Sequence, residues 1–167
     1  MTDQPGSLVG ALLSAPVRPG ELVWIGLRPA RGAHIITPLS ATLIAARGIE
    51  GDRYETKRNG GRQVTLIASE AIAAIASYLG RECVQPALLR RNLVTRGINL
   101  IALKGKRFRV GPALLEFAGE CAPCSRMEVT FGPGGYNAVR GHGGITARIL
   151  ESGEIRIGDA ITRVDTV

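Results

Sequence analysis

Aromatic side chains make up only 4% of the 167 residues, too few to line a groove with stacking platforms for single-stranded nucleic acid. No apolar run reaches the length of a membrane-spanning helix. The apolar stretch at residues 8–15 follows Asp3 rather than lysine or arginine, which argues against a secretory signal peptide. Cysteine is sparse: three residues, an odd number spaced unlike a disulfide framework. The phosphate-binding patterns GxGxxG and GxxxxGK[ST] are both missing. These absences exclude a membrane protein, argue against nucleic acid as a partner, and make the cytoplasm the expected compartment.

What is present is a surplus of positive charge, +7 from 21 basic and 14 acidic residues. Arginine supplies most of it and is scattered along the chain. That distribution favours a small anionic ligand or a solvated basic surface over a dedicated nucleic-acid groove. The length fits one domain able to bury a core without staples. We place a lead-in at residues 1–20 and the domain at 21–167.

Short apolar runs broken by turn signals dominate the pattern. Residues 22–27 and 39–44 read as strands, whereas 8–13 fits a strand or a helical turn equally well. The loop at 48–54 (GIEGDRY) closes on an Asp52–Arg53 pair. Residues 57–62 (KRNGGR) carry hairpin chemistry with Asn59-Gly60 at the tip, leading into a strand at 63–67. The spacing of Ile72, Ile75 and Leu79 predicts one helix over 70–79, with Ser69 as N-cap and Gly80 as stop. A connector at 86–91 and a short strand at 93–95 follow, with a loop at 99–103. After that, strands at 106–110, 113–118, 145–150, 154–157 and 160–164 alternate inward and outward residues, with Ser152-Gly153 read as a hairpin turn. Many short strands and one firm helix predict a mainly β fold, a closed or nearly closed barrel with few helices.

The chemistry concentrates at residues 119–144. Two cysteines flank an alanine and a proline, an arginine follows, and Gly132, Gly134, Gly135, Gly141, Gly143 and Gly144 free the backbone. Cys121-Ala122-Pro123-Cys124 admits several readings. A zinc site would need two more ligands from Cys83, His34 and His142, none of which forms a second CxxC or an HxxxH pair. A thioredoxin-type dithiol belongs where a strand feeds a helix in a βαβ unit, unlike the antiparallel pattern here. A single reactive Cys124 is the third reading, and a pair of small buried apolar thiols is the bland one. Pro123 suits the first turn of a helix, and a helix N-terminus with Arg126 beside it favours thiolate over thiol at Cys124. The glycine run reads as a surface loop whose N–H groups can cradle an anion. Arg90, Arg91 and Asn92, ahead of a strand, offer guanidinium forks and an amide, or simply a solvated basic turn. His142 is a candidate proton donor or an exposed loop histidine.

Taken together, GIEGDRY at 48–54, RQVTLI at 62–67, RRNLV at 90–94, LKGKRFRVG at 103–111, GECAPCSRM at 119–127 and GHGGITARILESGEIRIGD at 141–159 resemble the MOSC domain. That family takes its name from the C-terminal domain of molybdenum-cofactor sulfurases. The resemblance implies a β-rich barrel and a molybdenum cofactor of molybdopterin type, which need not stay with the chain through purification. Cys124 aligns with the cysteine that ligates molybdenum in cofactor-holding members. Arg53, Arg91, Asn92, Arg126, Arg140, His142 and Gly143 are the residues expected around the small anionic cofactor. Amidoxime-reducing relatives carry a further N-terminal β-rich domain and sulfurase relatives a pyridoxal-phosphate domain, neither found in these 167 residues. Two activities follow from the resemblance. One is reduction of N-hydroxylated compounds with electrons from a donor protein; the other is a persulfide carried on Cys124 after transfer from a desulfurase. A binding protein with an inert cysteine is the third reading.

Overall fold

The computed structural model describes residues 6–54 and 60–165. Ten strands and five short helices are described. In chain order they are α1 (Leu8–Leu13), β1 (Gly20–Ile25), β2 (Ser40–Ile44), β3 (Gly48–Ile49), β4 (Val64–Ala68), α2 (Ser69–Tyr78), α3 (Pro86–Leu89) and β5 (Leu93–Arg96). A 3-10 turn at Leu100–Leu103 follows, then β6 (Arg107–Val110), β7 (Ala113–Glu120), α4 (Ser125–Phe131), α5 (Gly135–Val139), β8 (Ile145–Glu151), β9 (Gly153–Arg156) and β10 (Ala160–Val164). The undecided stretch at 8–13 is therefore helical, capped by the Ser7 hydroxyl, and it buries none of its residues.

Seven strands close a barrel in the order β1-β10-β6-β7-β8-β4-β5, as the alternation predicted. Phe108, Val110, Leu115, Ile145, Ala147 and Ile149 point inward with the fully buried Leu22, Leu66 and Leu93. Burying each large side chain of this kind contributes about 1.5–3 kcal/mol before chain entropy is counted. Closure leaves the barrel strands no open edge. The pairs are antiparallel except β4 with β5, which α2 joins as a crossover.

The helix α2 lies on the outside of that parallel pair. Ile72, Ile75 and Ala76 pack with Ile67, Val94, Met127, Phe131 and Val139 into a second apolar cluster. Gly80 ends the helix as expected, at φ +64, with Arg81 N–H reaching back to Ala76 O at 2.9 Å, the geometry of a Schellman stop. Ser69 is inside the helix rather than its N-cap. Ala68 takes that position without a side-chain bond, because β4 runs straight into α2 with no connecting residue.

Ser152-Gly153 does not form a hairpin between β8 and β9. The strand β9 leaves the barrel and pairs with β2 in a separate three-stranded sheet, β3-β2-β9. Its Ile155 reaches the barrel cluster beside Leu43 and Ile49, so burial outside the hairpin decides the partner. The expected Asn59-Gly60 tip lies partly outside the described residues. No helix among the described residues is long and apolar enough to cross a membrane.

Candidate functional site

The strand β7 delivers the cysteines. Its register against β8 shifts between Phe117 and Gly119, a bulge that bends the strand's end. Cys121 N–H then donates to Gly144 O at 2.8 Å, fixing the segment before Pro123. Cys124 is the N-cap of α4, at φ −123° and ψ 169°, and its carbonyl accepts from Met127 N–H at 2.9 Å. The thiol makes no cap bond, so its sulfur stays uncommitted. Cys124 is exposed while Cys121 is buried. Burial pushes the Cys121 thiol above its usual range, against the opposing pull of Arg91, Arg62 and Arg28. The two cysteines are thus unlike.

Cys121 and Cys124 border a cavity of about 430 Å³ into which Arg28, Arg53, Arg62, Arg90, Arg91 and Arg126 converge, with no carboxylate among the described residues that line it. Arg90 takes the left-handed conformation, φ 58, at the end of α3, which turns the chain sharply between two guanidinium groups. The Arg91 side chain donates from Nε to Gly143 O at 2.7 Å and from Nη1 to Leu89 O at 3.0 Å. Those bonds hold its plane and leave Nη2 without a hydrogen-bond partner among the described residues. Burial, together with nearby Arg62 and Arg28, lowers the Arg91 pKa against the pull of Cys121 and Cys124. Arg90 is lowered likewise, by burial and then by Arg126, Arg28 and Arg53. Like charges held around a void are relieved by an anion, and guanidinium forks suit phosphate or carboxylate oxygens.

Beneath this pocket lies a buried polar network that local sequence did not reveal. Arg28, only 6% exposed, pairs with Asp52, 4% exposed. Asp52 Oδ1 accepts from Arg28 N–H at 2.8 Å and from its Nε at 3.3 Å, and Oδ2 accepts from Arg28 Nη2 and Tyr54 N–H. The expected Asp52–Arg53 closing pair is therefore replaced by Asp52–Arg28, because the two carboxylate oxygens are already filled by donors from Arg28, Tyr54 and Asn92. Arg53 instead lies over the Tyr54 ring at 4.8 Å, on the cavity side.

Asn92 is 1% exposed. Its Oδ1 accepts from Thr65 N–H, Thr65 Oγ1 and Arg28 Nη2, and its Nδ2 donates to Gly26 O and Asp52 Oδ1. The expectation that its amide faces a ligand gives way, since no donor or acceptor is left over. Asn92 ties β4 and β5 to the Arg28–Asp52 pair and so positions the pocket floor.

Arg140 and His142 do not join the arginines. They border a second cavity, about 770 Å³, on the far side of residues 121–123, because α5 ends at Val139 and carries the chain past that segment. His142 packs against the Tyr78 ring at 5.2 Å. Gly143 stands between the two cavities, its carbonyl bound to Arg91. The glycine run is also not an open anion cradle. It folds into α4 and α5, and the N–H groups of Gly134 and Tyr136 are taken at 2.8 Å by the chain's own Glu128 carboxylate. Gly135 lets α5 lie on α4, since a Cβ there would overlap Met127 O.

Of the residues singled out from sequence, Cys124, Arg53, Arg90, Arg91, Asn92 and Arg126 share the first cavity. Sequence reasoning missed Arg28 and Arg62 there. An arginine directly after a predicted strand and one directly before another were the available signals. Among the described residues no three His, Cys, Asp or Glu side chains gather as a metal cage. A metal here would rest on cysteine sulfur and on ligands it brings with it.

A comparison with curated proteins gives no match. Among solved structures, the chain is similar to the YuaD protein from Bacillus subtilis, with a TM-score of 0.78 at 18% identity, over 90% of this chain and 98% of that one. It is also similar to YiiM from Escherichia coli, with a TM-score of 0.65 at 19% identity, over 88% and 71%. YiiM from Geobacillus stearothermophilus gives 0.63 at 17% identity, over 87% and 75%. Those likenesses carry the fold. The sequence model of the MOSC domain matches residues 51–162, which takes in β4 through most of β10 and all of the cysteine segment. With that match over two thirds of its length, the chain belongs to the MOSC domain family, a family associated with molybdenum-cofactor binding.

Proposed function

We propose that the arginine-lined cavity holds a molybdenum cofactor of molybdopterin type and that Cys124 supplies the protein's sulfur ligand to the metal. The observation that carries this reading is the convergence of six arginines, with no carboxylate among the described lining residues, on a cavity whose rim bears an exposed thiol. The residues fit the group. Arg53, Arg62, Arg90, Arg91 and Arg126 match its phosphate and the oxygens of an anionic centre. A cysteine sulfur suits a thiophilic metal. Arg91 is anchored by Gly143 and Leu89 carbonyls, so its charge is already oriented before anything binds. The bound group would supply redox chemistry, and the chain contributes binding, orientation and positive potential. The activity we assign is reduction of N-hydroxylated compounds, with electrons from a donor protein.

The exposure of Cys124 favours a second reading, a sulfur carrier that receives a persulfide from a desulfurase and passes it on. Transfer of that kind needs a reachable thiolate in cationic surroundings.

Molybdenum per chain, measured on protein purified from a host that makes the cofactor, decides between them. Near-stoichiometric metal that is lost in Cys124→Ser supports the cofactor reading. Absence of metal, with a labelled persulfide on Cys124 after incubation with a desulfurase, overturns it in favour of the carrier.

A further inference from the structure

Cys124 presents an exposed sulfur, engaged in no capping bond, to the cavity of about 430 Å³ that the arginines line. Arg28 is already paired with Asp52. Arg62, Arg90, Arg91 and Arg126, in contrast, have no carboxylate partner among the described residues. Four uncompensated guanidinium groups attract an anion, and the sulfur beside them is a nucleophile. A ligand that uses both features is an anion carrying its own electrophilic atom.

The choice of anion follows from the acids that the cavity lacks. Attack on the phosphorus of an ester would expel an alkoxide, which needs an acid to protonate it. No carboxyl or imidazole is among the described residues that line the cavity, and His142 borders the other one. Guanidinium groups stay charged and give up no proton. Attack on a sulfane sulfur makes no such demand. In thiosulfate the outer sulfur is bonded to a sulfonate group, which leaves as sulfite, a stable anion that departs without a proton. Guanidinium forks match the sulfonate oxygens before and after the bond breaks. They also offset the repulsion between a thiolate and an approaching dianion.

We propose that Cys124 takes the sulfane sulfur of inorganic thiosulfate, with the arginine cavity holding the sulfonate oxygens. The Cys124 thiolate attacks the outer sulfur and a new S–S bond forms. The S–S bond of thiosulfate breaks, and its electron pair leaves on sulfite. Thiolate and thiosulfate dianion thus become a persulfide anion and a sulfite dianion, with no proton, oxidant or reductant required. A second nucleophile, a thiolate or cyanide, then removes the terminal sulfur and restores the Cys124 thiolate. The proposal rests on the carrier reading above and replaces its desulfurase with an inorganic donor. It does not rest on molybdenum: a bound cofactor would fill the same cavity and engage the same sulfur, so this activity belongs to the chain without it.

The test uses the full-length chain made in a host that lacks the cofactor, incubated with thiosulfate radiolabelled in its outer sulfur. Peptide mass spectrometry is expected to find the added sulfur on Cys124, with stoichiometric sulfite released. Cyanide should then remove the label as thiocyanate. Cys124→Ser, checked for folding by its thermal melt, abolishes both products, whereas Cys83→Ser, at an exposed cysteine outside the cavity, changes neither. Inorganic sulfate, which has the oxygens but no sulfane sulfur, should compete. Arg126→Ala, at an exposed position, should lower the thiosulfate rate about tenfold, the loss of one charged hydrogen bond. Alkylation of Cys124 by uncharged iodoacetamide should fall much less in the same variant. Label that survives Cys124→Ser, indifference to sulfate, or equal losses of the two reactions in Arg126→Ala would overturn the proposal. So would absence of label on Cys124 of the folded chain; label from a desulfurase in that case leaves the carrier reading standing. Label from thiosulfate, with no molybdenum bound in a cofactor-making host, keeps this activity and removes the cofactor reading.

Discussion

The Arg28–Asp52 pair gives the sharpest prediction, because everything facing the carboxylate is a donor. Asp52 accepts from Arg28 N–H, Nε and Nη2, from Tyr54 N–H and from Asn92 Nδ2. Asp52→Asn preserves shape but sets an amide N–H₂ against these donors and strips the negative charge from a guanidinium that is only 6% exposed. Removing one partner of a buried ion pair costs about 3–5 kcal/mol, and no rotamer of asparagine offers two acceptor oxygens. The loss takes a large share of a total stability of roughly 5–15 kcal/mol. Urea unfolding followed by the fluorescence of Trp24, the single tryptophan, should show the midpoint falling by about 1.5–2.5 M for a slope near 2 kcal/mol/M. The exposed pair Arg109–Glu151, at 2.9 Å, is the control. Glu151→Gln should cost no more than about 1 kcal/mol, since water and salt screen it. An Asp52→Asn protein within about 1 kcal/mol of the parent would refute the reasoning, because the network would then not depend on its charge.

Four further outcomes follow from the same geometry. Arg91→Ala should lower molybdenum content far more than Arg107→Ala, since Arg107 is exposed and pairs with Glu116 on the barrel's outside; equal losses would misplace the pocket. Iodoacetamide should label Cys124 and Cys83 well before Cys121, which is buried with its pKa raised, as mass spectrometry of a time course will show. Gly144→Ala combines φ +83 with a Cβ overlapping Leu66 O and should cost roughly 2–5 kcal/mol, whereas Gly132→Ala, at φ +85 in open space, should cost only about 1–2 kcal/mol. Glu128 has its pKa lowered by N–H bonds from Tyr136 and Gly134. Its contribution is therefore complete above the unfolded carboxyl pKa of about 4.3 and is lost as pH falls through the lower folded value. The stability gap between the parent and Glu128→Ala should be present at neutral pH and close in acid; a gap unchanged across that range would mean the bonds do not depend on charge.

What the sequence disclosed and what it hid divide along the range of the interaction concerned. The strands β6, β7 and β8 were readable because inward and outward residues alternate within each, and α2 because Ile72 and Ile75 recur at helical spacing under a glycine stop. Each of those signals lies inside one element. The Arg28–Asp52 pair joins residues 24 positions apart, and Asn92 completes it from a third segment. Local pattern could only offer Asp52 its neighbour Arg53. The strand β9 shows the same limit: its alternation was visible, but its partner was set by where Ile155 finds burial beside Leu43 and Ile49. The glycine run was misjudged for a related reason. Its freedom serves a close crossing of α4 and α5 at Gly135 and of the chain over Leu66 at Gly144, contacts that no local window contains. The arginines were legible as residues but not as a set. Only closure of the barrel brings Arg28, Arg62 and Arg91 from three separate segments to one cavity, and the same closure moves Arg140 and His142 away from it. The positive charge of the first cavity is thus a property of the topology, laid over a sequence in which arginine is spread almost evenly.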